Sequence, residues 1–310
     1  MRVAIVGAGL VGSGWAIVFA RAGFDVRLFD STPGASERAL ATIGERLKDL
    51  EAASLLDDPA ATLARVSIAA TLVAAVDGAG YVQESVLERV DVKRAVMSEI
   101  DAAIGADAYV GSSSSGIAAS LYTDHLACKA RCLVAHPVNP PYLAPIVELV
   151  PAPWTAPATI AAVRAIMERV GQVPVEMTRE TEGFILNRLQ GVLLMEAWRL
   201  VEAGLATAED VDRTVREGLG LRWAFMGPFE TIDLNAPGGV ADYARRLAPL
   251  YQSIAASTKE HEVWSEPLIA TIEAQRRALL PIEDLEERQA WRDRRLMALA
   301  RHKKEQSSKP

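Results

Sequence analysis

The chain has 310 residues, half of them apolar and about a quarter charged, with a formal net charge of −7 at pH 7. This length exceeds one typical core, so two domains are expected, and the acidic balance without a basic face excludes nucleic acid as the main partner. No apolar run approaches the ~18 residues of a membrane span. The only cysteines, Cys128 and Cys132 in a C-x3-C spacing, are too few for a disulfide framework or a zinc site, so they are read as packing or surface thiols and no metal is expected.

The first strand covers 3–6 and runs directly into Gly7-Ala8-Gly9-Leu10-Val11-Gly12. A helix over 11–22 stops at Gly23, and a second strand over 26–29 ends on Asp30. Strand, glycine turn, helix, strand, acid is the order that a dinucleotide site requires. Gly7 permits the tight turn, Gly9 lets the backbone approach a pyrophosphate, and Gly12 lets helix and strand pack closely. The helix N-terminus presents free N–H groups to the phosphates. Asp30 is placed to accept the ribose hydroxyls and to repel a 2′-phosphate. No Arg or Lys adjoins it in Asp30-Ser31-Thr32-Pro33, so NAD is expected rather than NADP. With the first strand starting at Val3, no leader peptide is expected and the chain is assigned to the cytoplasm.

Helices are expected over 35–55, 91–104 and 156–170, and short strands over 66–70, 80–83, 108–111, 132–135, 146–150 and 173–177. Alternating strands and helices with apolar strands indicate an α/β fold, a doubly wound (Rossmann) and mainly parallel sheet. From 182 onward no strand is evident. An apolar helical spacing through Phe184, Leu189, Val192, Leu193, Ala197 and Leu200 runs to Gly204, and Thr207 caps the next helix. A break is expected over 220–228, a turn at 237–239, and a charged helix over 283–304 that frays toward Pro310. The chain is thus divided into a sheet domain, 1–181, and an all-helical domain, 182–310. The first helix of the second domain is apolar on more than one side, which indicates contact with a second subunit.

Ligands of a doubly wound sheet gather at the carboxyl ends of its strands. The run Ser112-Ser113-Ser114-Ser115, then His136 with the Pro137-Val138-Asn139-Pro140-Pro141 segment, lie at such ends. Glu148 interrupts an apolar strand, and Asn187 opens the helical domain where the two domains are expected to face each other. Oxidising a secondary alcohol requires a base near neutrality, which histidine supplies. Glu148 suits the role of orienting it, and Ser115 and Asn187 suit that of neutral donors to the developing alkoxide.

Long collinear stretches resemble the L-3-hydroxyacyl-CoA dehydrogenase superfamily, and within it the lambda-crystallin branch, whose members include L-gulonate 3-dehydrogenase. They are Gly7 through Trp15, Gln83-Glu84-Ser85-Val86 with Glu88, the serine run, Ala135 through Tyr142, Val147 through Pro151, Gly183 through Gln190, Glu196 through Glu202, Gly218 through Pro228, and Gln289 through Asp293. The resemblance implies a catalytic set of Ser115, His136, Glu148 and Asn187. It implies NAD contacts from the Leu10 and Val11 backbone, Asp30, Glu88, Lys93, Ser115 and Asn139, and a homodimer formed through the helical domain. From the residues alone, Lys93 reads as a solvated helix position.

The segment 31–56 carries Arg38, Arg46 and Lys48 against Glu37, Glu45, Asp49 and Glu51, a poor cradle for the phosphates of an acyl-CoA. Arg222 is a candidate for the free carboxylate of a short polar hydroxy acid, through its planar fork; the alternative is a structural pair with Glu217 or Glu230. The expected activity is NAD-dependent oxidation of a 3-hydroxyl, most like that of L-gulonate 3-dehydrogenase. Rivals are an L-3-hydroxyacyl-CoA dehydrogenase, a carnitine-type 3-hydroxy acid dehydrogenase and a non-catalytic, crystallin-like structural protein.

Overall fold

A computed structural model describes residues 1–257 and 264–307. Its strands are β1 (Arg2–Val6), β2 (Asp25–Phe29), β3 (Val66–Ile68), β4 (Ala79–Glu84), β5 (Tyr109–Ser112), β6 (Cys132–Pro137), β7 (Ile146–Pro151) and β8 (Val173–Glu176). They form one sheet in the order β3-β2-β1-β4-β5-β6-β7-β8. Alternate residues of β1 point into two cores. Val3 and Ile5 join Trp15, Phe19, Leu28 and Leu47 on one side. Ala4 and Val6 join Val82, Met97, Ile100 and Val134 on the other. Because both faces are covered, the central strands carry near-continuous apolar runs. The chain is therefore a Rossmann-type α/β sheet followed by a helical region, as its residue pattern predicts.

Every neighbouring pair of strands is parallel except β6 and β7. The connection 138–145 is too short for the crossover of a dozen or more residues that parallel pairing needs, so β7 returns antiparallel. In that register His136 stands directly opposite Glu148. The strand ends that hold the nucleotide motif and the histidine thus line one edge of the sheet, from β2 through β1, β4 and β5 to β6.

Three short helices, Pro59–Leu63, Leu72–Val76 and Ser120–Thr123, lie in segments that periodicity leaves unassigned. They are too short to show a helical period in the sequence. The break expected over 220–228 falls at 224–227, between Gly220–Trp223 and Pro228–Leu234, and not at Gly220 itself: helix Ala208–Thr214 passes through a π turn at Val215–Leu219 into Gly220–Trp223. A Cβ on residue 220 would stand 3.0 Å from the Val215 carbonyl oxygen, so this glycine continues a widened helix instead of ending it. The last helix, Leu285–Ser307, extends beyond the expected fraying point; 308–310 lie outside the described residues.

Two compact units emerge, Met1–Arg188 with the chain from Gln289, and Leu189–Arg288. The sequence places a single boundary at 181, but two contacts draw the flanking segments to the sheet. Phe184 is fully buried in one sheet core and Met297, 3% exposed, in the other. Phe184 thus lies outside the helix whose apolar stripe it seemed to begin, which starts at Leu186. Among the described residues, no helix is long and apolar enough to cross a membrane. Cys128 and Cys132 are buried free thiols.

Met297→Ala is expected to lower the stability of the sheet unit by about 2–5 kcal/mol, the usual loss for a truncated core methionine. Denaturant unfolding of the full chain reads this as an earlier transition midpoint.

Candidate active site

At the start of the sheet edge, Gly7 turns the chain at φ +103°, and a Cβ there would meet the Ser85 carbonyl oxygen at 2.5 Å. A Cβ at Gly12 would lie 1.9 Å from the Gly7 carbonyl oxygen. Both positions therefore exclude any side chain. At Gly9 a Cβ would meet nothing within 4 Å, so open space fronts the helix Leu10–Arg21. No side chain caps that helix, which leaves its first-turn N–H groups, including those of Leu10 and Val11, available to an anion. Asp30 Oδ2 accepts the Ala8 N–H at 2.8 Å and Oδ1 the Thr32 N–H at 2.8 Å. The carboxylate is thereby fixed against the glycine turn. A cleft of ≈ 580 Å³ adjoins it, with Asp30, Thr32, Ala69 and Leu72 in its walls. This open, uncapped and acid-flanked turn fits the pyrophosphate and adenosine of NAD.

The serine run at the end of β5 has three buried or half-buried members and one exposed, Ser115, whose hydroxyl lies 3.5 Å from Glu88 Oε1. Ser112 Oγ donates to Glu84 Oε2 at 2.5 Å. Ser113 Oγ accepts from Trp15 Nε1 at 3.1 Å and Gln83 Nε2 at 2.8 Å, and pairs with Ser85 Oγ at 2.8 Å. Ser114 Oγ meets Glu88 Oε1 at 2.7 Å and the Ile117 carbonyl oxygen at 2.8 Å. Ser115 is exposed; its N–H donates to Glu88 Oε1 at 2.8 Å, and its carbonyl oxygen accepts from Asn187 Nδ2 at 2.5 Å. One N–H of the Asn187 amide remains for another acceptor. Glu88 therefore gathers the loop 114–117 around one oxygen. Burial pushes its carboxyl up, but the Ser114 hydroxyl, the Lys93 ammonium and the Gly116 and Ser115 N–H groups outweigh this and hold it below its ordinary value.

At the far end, His136 Nδ1 lies 2.7 Å from Glu148 Oε2. Glu148 Oε1 accepts the Ile185 and Leu186 N–H groups at 2.8 and 2.9 Å. Burial raises the Glu148 carboxyl, yet the His136 hydrogen bond, the two backbone donors and the imidazole charge together bring it below its ordinary value. An ionised Glu148 requires the proton on Nδ1, which leaves a lone pair on Nε2. Among the described residues, Nε2 has no hydrogen-bond partner and is not sealed from solvent. The ring is steadied by Phe184, with centroids 5.6 Å apart. A base with its tautomer set and its outer nitrogen free can take a proton from a hydroxyl.

Other predicted positions sort differently. Asn139 is exposed, three residues beyond His136. Lys93 departs from its reading as a solvated helix position. It is only 1% exposed, and its ammonium lies 3.0 and 3.1 Å from the Glu84 oxygens and 3.3 Å from Glu88 Oε2. It is not a solvated helix residue, and its charge is shared between these two carboxylates. The buried face of its helix explains why: Lys93, Met97 and Ile100 share one stripe. Glu84, which residue-level reasoning passed over as a site group, closes a buried strand, and a charge in that position was the available signal. Arg222 lies exposed in the second unit and forms no ion pair among the described residues; Glu217, its candidate partner, pairs with Arg216.

Nucleotide-binding turn and buried imidazole–carboxylate pair share the carboxyl edge of one doubly wound sheet, an arrangement suited to an NAD-dependent dehydrogenase. Residues 2–181 match the family model "3-hydroxyacyl-CoA dehydrogenase, NAD binding domain", and 183–268 that of "3-hydroxyacyl-CoA dehydrogenase, C-terminal domain". The chain belongs to the 3-hydroxyacyl-CoA dehydrogenase family. It is 42% identical over 306 residues to a lambda-crystallin homolog of Bos taurus, covering 97% of this chain and 95% of that one. It is 39% identical to an L-carnitine dehydrogenase of Streptomyces griseus over 80% of this chain and 74% of that one. Among solved structures, an FHMPC 5-dehydrogenase, described as an NAD+ dependent dismutase, superposes with a TM-score of 0.83 at 29% identity, over 97% of both chains.

The depressed Glu148 carboxyl contributes stability above its ordinary titration range and loses it as pH falls through the lowered value. Acidification from about pH 5 to pH 2 is therefore expected to lower the melting temperature more in wild type than in Glu148→Gln. Equal losses in the two proteins would show that Glu148 carries no such linkage.

Proposed function

We propose that this chain oxidises the 3-hydroxyl of a short polar hydroxy acid bearing a free carboxylate, in the manner of L-gulonate 3-dehydrogenase. The observation that carries this reading is the His136–Glu148 pair, 2.7 Å apart with the outer imidazole nitrogen free. NAD, when bound, supplies the hydride acceptor. His136 Nε2 removes the hydroxyl proton while Glu148 holds Nδ1 and its charge offsets that of the imidazolium. Ser115 Oγ and the free Asn187 N–H hold the substrate oxygen. The glycine turn, Asp30, Glu88, Ser115 and Asn139 hold the cofactor. Such a base contributes about 10²–10⁴-fold to rate.

Three observations favour a free acid over a CoA thioester. On the helix Ala35–Ala52, Arg46 pairs with Asp49 at 3.3 Å and Lys48 with Glu45 at 2.9 Å, so two of its three cations are offset on their own helix. Arg222 stands exposed and unpaired among the described residues, suited to a carboxylate. The FHMPC 5-dehydrogenase, which superposes over 97% of this chain, is named for a carboxylic acid. A cationic 3-hydroxy acid of the carnitine type is the second reading, favoured by the L-carnitine dehydrogenase relatives.

In the second unit, Leu189, Val192, Leu221, Phe229 and Leu234 are each more than 60% exposed. Apolar surface of this extent favours an association partner, and we assign it to a second copy of the chain. A cytoplasmic setting suits the two adjacent free thiols.

His136→Asn is expected to lower kcat by about 10²–10⁴-fold while titration calorimetry still registers NAD binding; wild-type turnover in this variant would remove the acid–base scheme. Arg222→Ala is expected to raise KM for gulonate about tenfold or more, in line with loss of a charge-assisted pair, and to leave NAD affinity unchanged. Assays of gulonate, carnitine, 3-hydroxybutyrate and 3-hydroxybutyryl-CoA side by side decide among the substrate classes. Turnover of the thioester alone overturns the free-acid reading.

A further inference from the structure

Glu84 and Lys93 form a buried ion pair that the proposed chemistry does not use. Their side chains are 0% and 1% exposed. Glu84 also accepts the Ser112 hydroxyl and, at 2.8 Å, the Val86 N–H. The ammonium of Lys93 turns its remaining side to Glu88 Oε2 at 3.3 Å. One cation thus stands between two carboxylates, and over the Tyr122 ring at 5.7 Å. Two carboxylates against one ammonium leave the cluster one uncompensated negative charge, with Glu84 and Lys93 buried and Glu88 38% exposed.

Its place in the sheet gives that charge a target. The nucleotide turn follows β1, Asp30 follows β2, and His136 ends β6. Between them along the edge lie the ends of β4 and β5, which carry Glu84 to Glu88 and the serine run. The Gly7 turn itself abuts the Ser85 carbonyl. A dinucleotide reaching from Asp30 to His136 must therefore lay its reactive ring over this cluster. That ring is cationic when oxidised and neutral when reduced.

We infer that Glu84 is a positioning residue that acts through Lys93: it leaves the Glu84–Lys93–Glu88 cluster with a net negative charge, and this charge favours the oxidised nicotinamide over the reduced one. The inference rests on the reading in which Glu88 and Ser115 flank the ring. Without Glu84, Lys93 is matched by Glu88 alone and the cluster becomes neutral. Removing Lys93 as well leaves Glu88 charged and returns the cluster to its original sign and magnitude.

Titration calorimetry of the full-length wild type, Glu84→Gln and Glu84→Gln/Lys93→Met with NAD+ and with NADH, in the absence of substrate, tests this. Glu84→Gln is expected to weaken NAD+ about tenfold relative to NADH, the scale of one nearby unit charge at an intermediate dielectric. The double variant is expected to return the ratio of the two dissociation constants to within about threefold of wild type. Equal weakening of both cofactors in Glu84→Gln means a merely structural role and overturns the inference, as does an unmoved ratio. If the single variant does not fold, the double variant decides: a ratio beyond that margin overturns it. Wild type that binds neither cofactor overturns the NAD-site reading along with it, whereas wild type that binds both with a ratio insensitive to Glu84 removes only this inference.

Discussion

The structure of the site depends on one carboxylate used twice. Glu148 Oε2 holds the imidazole of His136, and Oε1 holds the Ile185 and Leu186 N–H groups at the entry to the helix Leu186–Glu202. A buried carboxylate is tolerated only when donors surround it, and here each donor is also something the site needs placed. The imidazole receives its tautomer, and the helix carrying Asn187 receives its starting point. Phe184, in the left-handed region at φ 51°, turns the chain into that helix and lies against the histidine ring. A change at Glu148 therefore reaches the base, the helix entry and the amide together.

The opposite wall of the site follows the same logic with more members. Glu84, Lys93 and Glu88 neutralise most of their own charge beneath the loop after β5, and the hydroxyls of Ser112 and Ser114 complete their bonding. Ser113 is occupied by Trp15, Gln83 and Ser85. Packing thus holds three of four adjacent hydroxyls at 2.5–3.1 Å from partners, while Ser115 is exposed and its hydroxyl only grazes Glu88 at 3.5 Å. The Asn187 amide reaches the Ser115 carbonyl oxygen, so the loop and the start of the following helix are tied by a bond of their own.

Much of the sheet unit was legible in the residues because its signals are local. The glycine turn, its helix and Asp30 fall within thirty positions, and steric exclusion at Gly7 and Gly12 acts over a few ångströms. Strand runs in a two-sided sheet are apolar throughout, which marks them one by one. The antiparallel return of β7 was also within reach, since 138–145 cannot span a crossover. Harder to read were the docking of the last helix, itself expected over 283–304, and the packing of Phe184, whose partners lie across the sheet unit and far along the chain. Lys93 shows the limit of composition: a lysine on a helix suggests solvent, while its phase with Met97 and Ile100 turns it inward.

By itself the sequence determined the fold class, the nucleotide motif and the residue types available for chemistry, because these follow from short-range sterics and from the period of apolar side chains. Only the tertiary structure decided which of these residues meet. His136 and Glu148 become partners through strand register. Ser115 is distinguished from its neighbours by what packs beneath it, and Glu84 is drawn beneath the serine loop by a buried ammonium nine residues later that it shares with Glu88. Pairing of distant charges and hydroxyls depends on how the elements stack, and no local pattern encodes that.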